Sequence, residues 1–345
     1  MTPEPAPQAT PPVLRAGRDE DAAGFIALIS RCWAEYPGCV MDLDGENPQL
    51  RAYASHIAAL GGALWVAEAV GGAVVGMVAV VPGENGIWEL RRMYVDAAQR
   101  GHGIAHLLAD AAERHARAQG ASHLMLWTDT RFDRSHRFYE KRSFVRAGAI
   151  RALDDLSHSL EFCYAKPIAG IVVQRLDAAA AASAERRLGG VLKACVDGGA
   201  AISFLPPLSD EAACSYWHGV SSGVGRGMRI LLVAWAEGAM VGTVQFDLAM
   251  PPNQPHRAEL QKLMVLPEWR RHGIAAALMR AAEHEATIAG RALLTLDTRA
   301  GDSGEQLYRS LGWTEAGCIP DYAMNPDGTF HDTLLFWKRI GTPTR

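Results

Sequence analysis

The chain holds no stretch approaching the roughly 20 consecutive apolar residues that a bilayer-spanning helix needs, so no membrane association is expected. Its cysteines are few and unpaired in pattern. Cys32, Cys39, Cys163, Cys195, Cys214 and Cys318 form no C-x-x-C and read as free thiols of a reducing compartment. The opening "MTPEPAPQATPP" lacks the basic and apolar sequence of a secretory leader and reads as a disordered tail over 1–12. These two readings give a cytoplasmic location. A basic excess is also missing: with a net charge of −4 the electrostatic footprint of a nucleic-acid binder is absent, and no nucleic acid partner is expected. His115, His284 and His331 lack companion ligands at metal-binding spacing, and His102 and His272 lie in a glycine-containing loop, so no metal is expected. A Walker loop would need G-K-S/T, which does not occur where it would be required.

What is present is a repeat. "RGHGIAHLLADAAE" (100–113) returns as "RRHGIAAALMRAAE" (270–283), offset by 170 residues with nine of fourteen positions identical. The offset extends outward: Glu89-Leu90 and Glu259-Leu260 each precede a short basic-apolar run. Downstream, "TDTR" (128–131) echoes "LDTR" (296–299), and "FYEKRSF" (138–144) echoes "LYRSLGW" (307–313). A unit of this size is too long for a solenoid repeat. The chain therefore reads as two domains of one fold, 13–166 and 171–340, with the seam at "AKPIAG" (165–170).

Each copy reads as α/β with a mixed sheet. Phe25, Ile26, Ile29, Cys32 and Trp33 recur at helical spacing. Residues 63–81 and 231–246 are apolar hairpins around glycine-containing turns. The glutamate-bearing strand follows (87–95; 258–265), then a helix with an expected inner face of Ile104, Leu107, Leu108, Ala111 and Ala112, or Ile274, Ala277, Leu278, Ala281 and Ala282. A further strand (123–128; 292–297) completes a strand–helix–strand crossover, which implies a parallel pair.

Between strand and helix lie Arg100, Gly101, His102, Gly103, Ile104 and Ala105, or Arg270, Arg271, His272, Gly273, Ile274 and Ala275. A helix start leaves backbone N–H groups unpaired at the positive end of the dipole, and small residues let an anion approach them. The loop reads as a phosphate cradle. The dinucleotide fingerprint G-x-G-x-x-G fails in both copies.

These residues resemble the GNAT superfamily of N-acetyltransferases. The family pattern R/Q-x-x-G-x-G/A is met by Arg100, Gly103 and Ala105 and again by Arg270, Gly273 and Ala275. The resemblance covers nearly the whole chain after the tail and implies two consecutive GNAT-like acyl-CoA N-acyltransferase domains, with acetyl-CoA as the acyl donor. It implies that the loop grips the pyrophosphate. It also implies that the strand backbone at Met93, Tyr94 and Val95, or Leu263, Met264 and Val265, bonds the pantetheine arm. "LQKLMVLP" (260–267), "LDTRAGDSGEQLYRSLGW" (296–313) and "YAMNPDGTFHDT" (322–333) are further similar to tabtoxin-resistance acetyltransferases, which suggests a toxin-like substrate.

An amine with pKa about 10.4 is almost wholly protonated at pH 7, so attack on a thioester needs a base. Glu89 and Glu259 sit on the strand feeding the cradle, and Asp129 and Asp297 end the next parallel strand, beside the crevice where open sheets place ligands. Each pair can serve as base and amine-orienting anion. Tyr139 and Tyr308 match the family tyrosine that protonates the departing thiolate. Ser143 stands where the family has glycine (present as Gly312), and Arg271 replaces the counterpart of Gly101. The second domain is expected to be catalytic; the first stays open. The expected reaction is direct acetyl transfer to a primary amine of a small molecule: an antibiotic, toxin or amino-acid-like metabolite, with antibiotic resistance one role. A peptide or protein acceptor, or a tandem in which one domain only binds acetyl-CoA and supports the other, are the alternatives. Both a homodimer and a monomer that mimics a family dimer within one chain fit the repeat.

Overall fold

The computed structural model describes residues 12–200 and 202–342; the tail expected over 1–12 lies outside them except for Pro12. Two compact units emerge. One comprises Met1–Arg137 with Ala147–Ala169, the other Phe138–Arg146 with Gly170–Arg345.

The first unit contains β1 (Val13–Ala16), α1 (Ala22–Trp33), α2 (Tyr53–Ala59), β2 (Ala63–Glu68), β3 (Val74–Pro82), β4 (Ile87–Val95), α3 (Ile104–Ala118) and β5 (His123–Asp129). Next come α4 (Asp133–Lys141), whose end falls in the second unit together with β6 (Val145–Arg146), then β7 (Arg151–Ala152) and β8 (Leu160–Pro167). Strands run β1-β2-β3-β4-β5-β8 across the sheet. All neighbours are antiparallel except β4 and β5. The crossover helix α3 makes that pair parallel. Val74–Val81 is buried along its whole length rather than at alternate positions, because α1 and α3 both pack on β3.

The second unit repeats the plan with β9 (Ile171–Leu176), α5 (Ala178–Asp197), α6 (Asp210–Gly225), β10 (Arg229–Ala236), β11 (Ala239–Asp247), β12 (Arg257–Val265), α7 (Ile274–Ile288), β13 (Leu293–Arg299), α8 (Ser303–Ser310), β14 (Thr314–Met324) and β15 (Phe330–Arg339). The order is β14-β15-β13-β12-β11-β10-β9, with only β12 and β13 parallel. Both units are thus α/β with mixed sheets, as the repeat implied. The two-residue turn at Glu237 and Gly238 puts both in left-handed backbone, the geometry that matches strand twist in a tight hairpin.

The expected helix face needs one correction. Leu107 is 50% exposed, and Ala277 and Ala281 are only half-buried. The buried rows are Ile104, Leu108, Ala112 and Ala116 in α3 and Ile274, Leu278, Ala282 and Ala286 in α7. Strict i+4 steps lie along a single ridge, and the face is rotated toward Ala109 and Met279, which are buried as well. The glutamate closing the repeated stretch is structural. Glu113 accepts a hydrogen bond from Lys166 on β8 at 2.9 Å, and Glu283 one from Lys338 on β15 at 2.8 Å. Each pair ties the helix to the strand next to the parallel pair in its own sheet.

Candidate active site

In both units the parallel strands part early. β4 pairs with β5 from Ile87 to Leu90 only, and β12 with β13 from Arg257 to Glu259 only. Beyond these points, among the described residues, the edge of β4 or β12 that faced its parallel neighbour has no strand partner, and Val95 O and Val265 O accept from arginine and cysteine side chains instead. A bulge accompanies each split. The register of β4 on β3 slips between Tyr94 and Arg91, and that of β12 on β11 between Met264 and Gln261. The residues responsible, Arg92 (φ 51) and Lys262 (φ 52), adopt left-handed backbone at equivalent positions.

The strands lead through a short 3-10 turn into the loops read as phosphate cradles. Gly103 (φ 80) and Gly273 (φ 77) cap α3 and α7 in left-handed backbone. Neither has a side-chain cap, and the first bonds closing each helix are Leu107 N–H to Gly103 O and Ala277 N–H to Gly273 O. Amides around His102–Ala105 and His272–Ala275 therefore point outward in the arrangement that suits a diphosphate. A Cβ on Gly103 or Gly273 would meet nothing within 4 Å; glycine is required there by the backbone angle, and the space in front is open. Arg271 holds φ 68 where Gly101 has φ 82, so the second loop keeps the same shape at a cost in strain.

The cradle arginines differ. Arg100 donates to both oxygens of Glu35 at 2.6 Å each and to Val95 O at 3.1 Å. Arg270 makes one long bond, 3.4 Å to Val265 O, and no carboxylate pairs with it among the described residues. His272 shares a hydrogen bond with Arg270 O at 2.9 Å.

The carboxylates differ in the same direction. Glu89 accepts from Arg91 Nε at 2.8 Å and from its terminal nitrogen at 2.5 Å. Asp129 accepts from Arg131 Nε at 2.8 Å, its terminal nitrogen at 2.6 Å and its backbone N–H at 2.8 Å. Burial would raise the Asp129 carboxyl, but Arg131 outweighs it and holds the group below the ordinary range. Glu259 instead accepts from neutral Gln261 at 3.1 Å, with Arg257 standing off at 3.7 Å. Asp297 is pushed above the ordinary carboxylate range, first by burial and then by the charge of Glu259, with Lys262 pulling the other way. Its surface is nonetheless exposed. Both hold for a carboxylate crowded by protein in an open cleft, and the upward direction follows from that crowding.

Residues 13–144 match the profile of the Acetyltransferase (GNAT) family and residues 228–315 that of an Acetyltransferase (GNAT) domain. The chain carries two GNAT domains in tandem. It is a tandem GNAT acetyltransferase. Among similar solved structures, an N-acetyltransferase from Staphylococcus aureus Mu50 is 15% identical, covering 50% of this chain and 99% of its own, with TM-score 0.43. The Salmonella typhimurium protein yncA, solved with its cofactor acetyl-CoA, is 16% identical over 51% of this chain and 98% of its own, TM-score 0.43. The ribosomal-protein-S18-alanine N-acetyltransferase of Escherichia coli is 20% identical over 51% and 97%, TM-score 0.38.

Within the second GNAT domain, Tyr308 of α8 is buried against Trp313 and Phe336. Burial, and then the charge of Asp297, push its phenol well above the ordinary range, so it stays protonated at neutral pH. Tyr139 is equally buried and packs on Phe144, in the segment that clusters with the second unit. In the first domain the Tyr94 hydroxyl accepts from Trp33 Nε1 at 2.8 Å. Reasoning from sequence missed Arg92, Lys262 and the neutralising partners Glu35, Arg91 and Arg131. One signal was available: the repeat places Gln261 opposite Arg91. Among the described residues, no group of three or more His, Cys, Asp or Glu could hold a metal ion.

Proposed function

We propose that the second domain, 171–340, transfers the acetyl group of acetyl-CoA directly to a primary amine of a small molecule, whether antibiotic, toxin or amino-acid-like metabolite. The observation that carries this reading is the asymmetry of the carboxylates. Glu259 and Asp297 stand at the strand split with, among the described residues, no guanidinium nearer than that of Arg257, 3.7 Å from Glu259, and burial together with the charge of Glu259 raises the proton affinity of Asp297, the direction that favours a general base. The residues fit the donor: Arg270 to Ala275 would hold the pyrophosphate and Leu263 to Val265 the pantetheine arm. Acetyl-CoA supplies an activated acyl carbon. Glu259 and Asp297 take the amine proton, directly or through water, as the C–N bond forms, and Tyr308 hands its proton to the sulfur as the C–S bond breaks. No covalent enzyme intermediate is needed.

For the first domain, 13–166, the binding-only reading is favoured. Arg91 clamps Glu89, Arg131 clamps Asp129 and holds its carboxyl below the ordinary range, and Glu35 occupies the guanidinium of Arg100. Its cradle still offers Gly101 to Ala105 and its strand Met93 to Val95, which suits acetyl-CoA held without turnover. The test is thiol release from acetyl-CoA by the full chain over a panel of small amines and short peptides. Turnover should survive Glu89→Gln with Tyr139→Phe and vanish with Glu259→Gln plus Tyr308→Phe. The reverse pattern, or turnover with peptides alone, would overturn the assignment.

A further inference from the structure

At the bulge of β12, Lys262 points its ammonium into a cage. Its Nζ lies 5.7 Å from the ring centre of Phe204 and 5.8 Å from that of Tyr216, and donates to Ser203 Oγ at 3.0 Å. The two rings meet edge to face at 5.3 Å. Tyr216 is itself fixed, because the fully buried amide of Gln245 donates to its hydroxyl at 2.5 Å, with Arg229 behind donating to Gln245 at 3.4 Å. Ring faces attract a cation but do not neutralise it. Among the described residues no carboxylate lies within salt-bridge distance of Lys262. Arg229, which adds positive charge, is only partly offset by Asp247 at 3.7 Å.

Three elements converge here: the α5–α6 loop brings Ser203 and Phe204, α6 brings Tyr216, and the bulge aims Lys262. A left-handed, non-glycine backbone is strained, and here it aims a half-buried cation whose proton affinity is lowered by burial, with Asp297 opposing and Arg229 lowering it further. The acids at the strand split would receive the amine end of an acceptor. Lys262 stands on the same stretch of β12, three residues after Glu259.

We infer that the acceptor of the second domain carries a carboxylate besides its amine, and that Lys262, framed by Phe204, Tyr216 and Ser203, receives it. The inference rests on the proposed function and narrows its substrate class to amino acids and their relatives. The same position in the first unit carries Arg92 over Trp33 at 5.8 Å, but there Asn47 accepts from the guanidinium at 2.6 Å and closes the site.

The test pairs each of the common α-amino acids with its carboxamide, using the full chain. The expected result is a kcat/KM ratio of acid to amide on the order of 10²-fold, the worth of a hydrogen-bonded charge pair. Lys262→Met should collapse the ratio to near unity, and Lys262→Arg should restore part of it. Phe204→Leu, which leaves β12 untouched, should lower it several-fold and guards against misfolding of the first variant. Amides used as well as acids by the wild type, or a ratio unmoved in Lys262→Met, would overturn the inference. The unfolding temperature of the CoA-loaded protein, read over the same pairs, reports binding without turnover. A protein stabilised by acids over amides yet acetylating nothing sinks the proposed function and supports the carboxylate site; no difference in stabilisation sinks the site alone.

Discussion

Arg131 closes on Asp129 from two residues away in sequence, donating to both carboxylate oxygens at 2.8 and 2.6 Å. The second domain spells the same Asp-Thr-Arg at 297–299, yet among the described residues no side chain grips Asp297 in that way. Identical local sequence has produced a bidentate ion pair in one unit and a carboxylate without that partner in the other.

That contrast predicts stability changes of opposite sign. Asp129 has its folded-state affinity for protons lowered, so its contribution is present above the unfolded carboxylate range and lost as pH falls. Asp129→Asn should destabilise at pH 7, by about 1.5–3 kcal/mol for the lost charged hydrogen bonds. Asp297 is raised, so its ionised form is disfavoured by folding and its contribution is lost as pH rises through the raised value. Asp297→Asn should stabilise at pH 7, and the gain should disappear in acid. Thermal unfolding across pH measures both.

Activity should depend on pH through the same group. With Asp297 needed as a carboxylate, kcat/KM should fall as pH drops through a value above the ordinary Asp range. Glu259→Gln should move that limb down, because the neighbouring charge that helps raise Asp297 is gone, and should itself cost roughly 10²–10⁴-fold in rate. A limb at the ordinary carboxylate position in the wild type would count against Asp297 as base.

Freeing the first cradle should change donor binding. Glu35 holds Arg100 at 2.6 Å through both terminal nitrogens. In Glu35→Gln the guanidinium keeps its charge but loses its partner, so the weaker of two acetyl-CoA sites should tighten several-fold, since a nearby cation is worth about 1 kcal/mol or more to a phosphate. Calorimetry counts the sites. An unchanged isotherm would mean that the first domain does not bind the donor.

The cradle glycines separate shape from space. Gly273→Ala adds a Cβ that meets nothing within 4 Å, so its penalty is that of left-handed backbone alone, about 1–2 kcal/mol. Acetyl-CoA affinity should fall with it, as the amides rotate away from the diphosphate. The converse change, Arg271→Gly, should relieve strain at φ 68 and preserve binding.

The repeat, the hairpins, the parallel crossover and the glycine-led helix starts were legible in the sequence, because each depends on residues close along the chain: apolar period, turn chemistry, an exposed run of amides. The helix face was misjudged at Leu107, because periodicity fixes which residues share a stripe but not which edge of it the sheet covers. Only the tertiary structure decided which carboxylates an arginine clamps, and that a strand bulge would carry Lys262 onto rings from α6 and the loop before it. The reason is physical. Charge pairing and cation–ring contact depend on side chains meeting within a few ångströms across separate elements, and the spacing of residues along a strand or helix carries no record of that meeting.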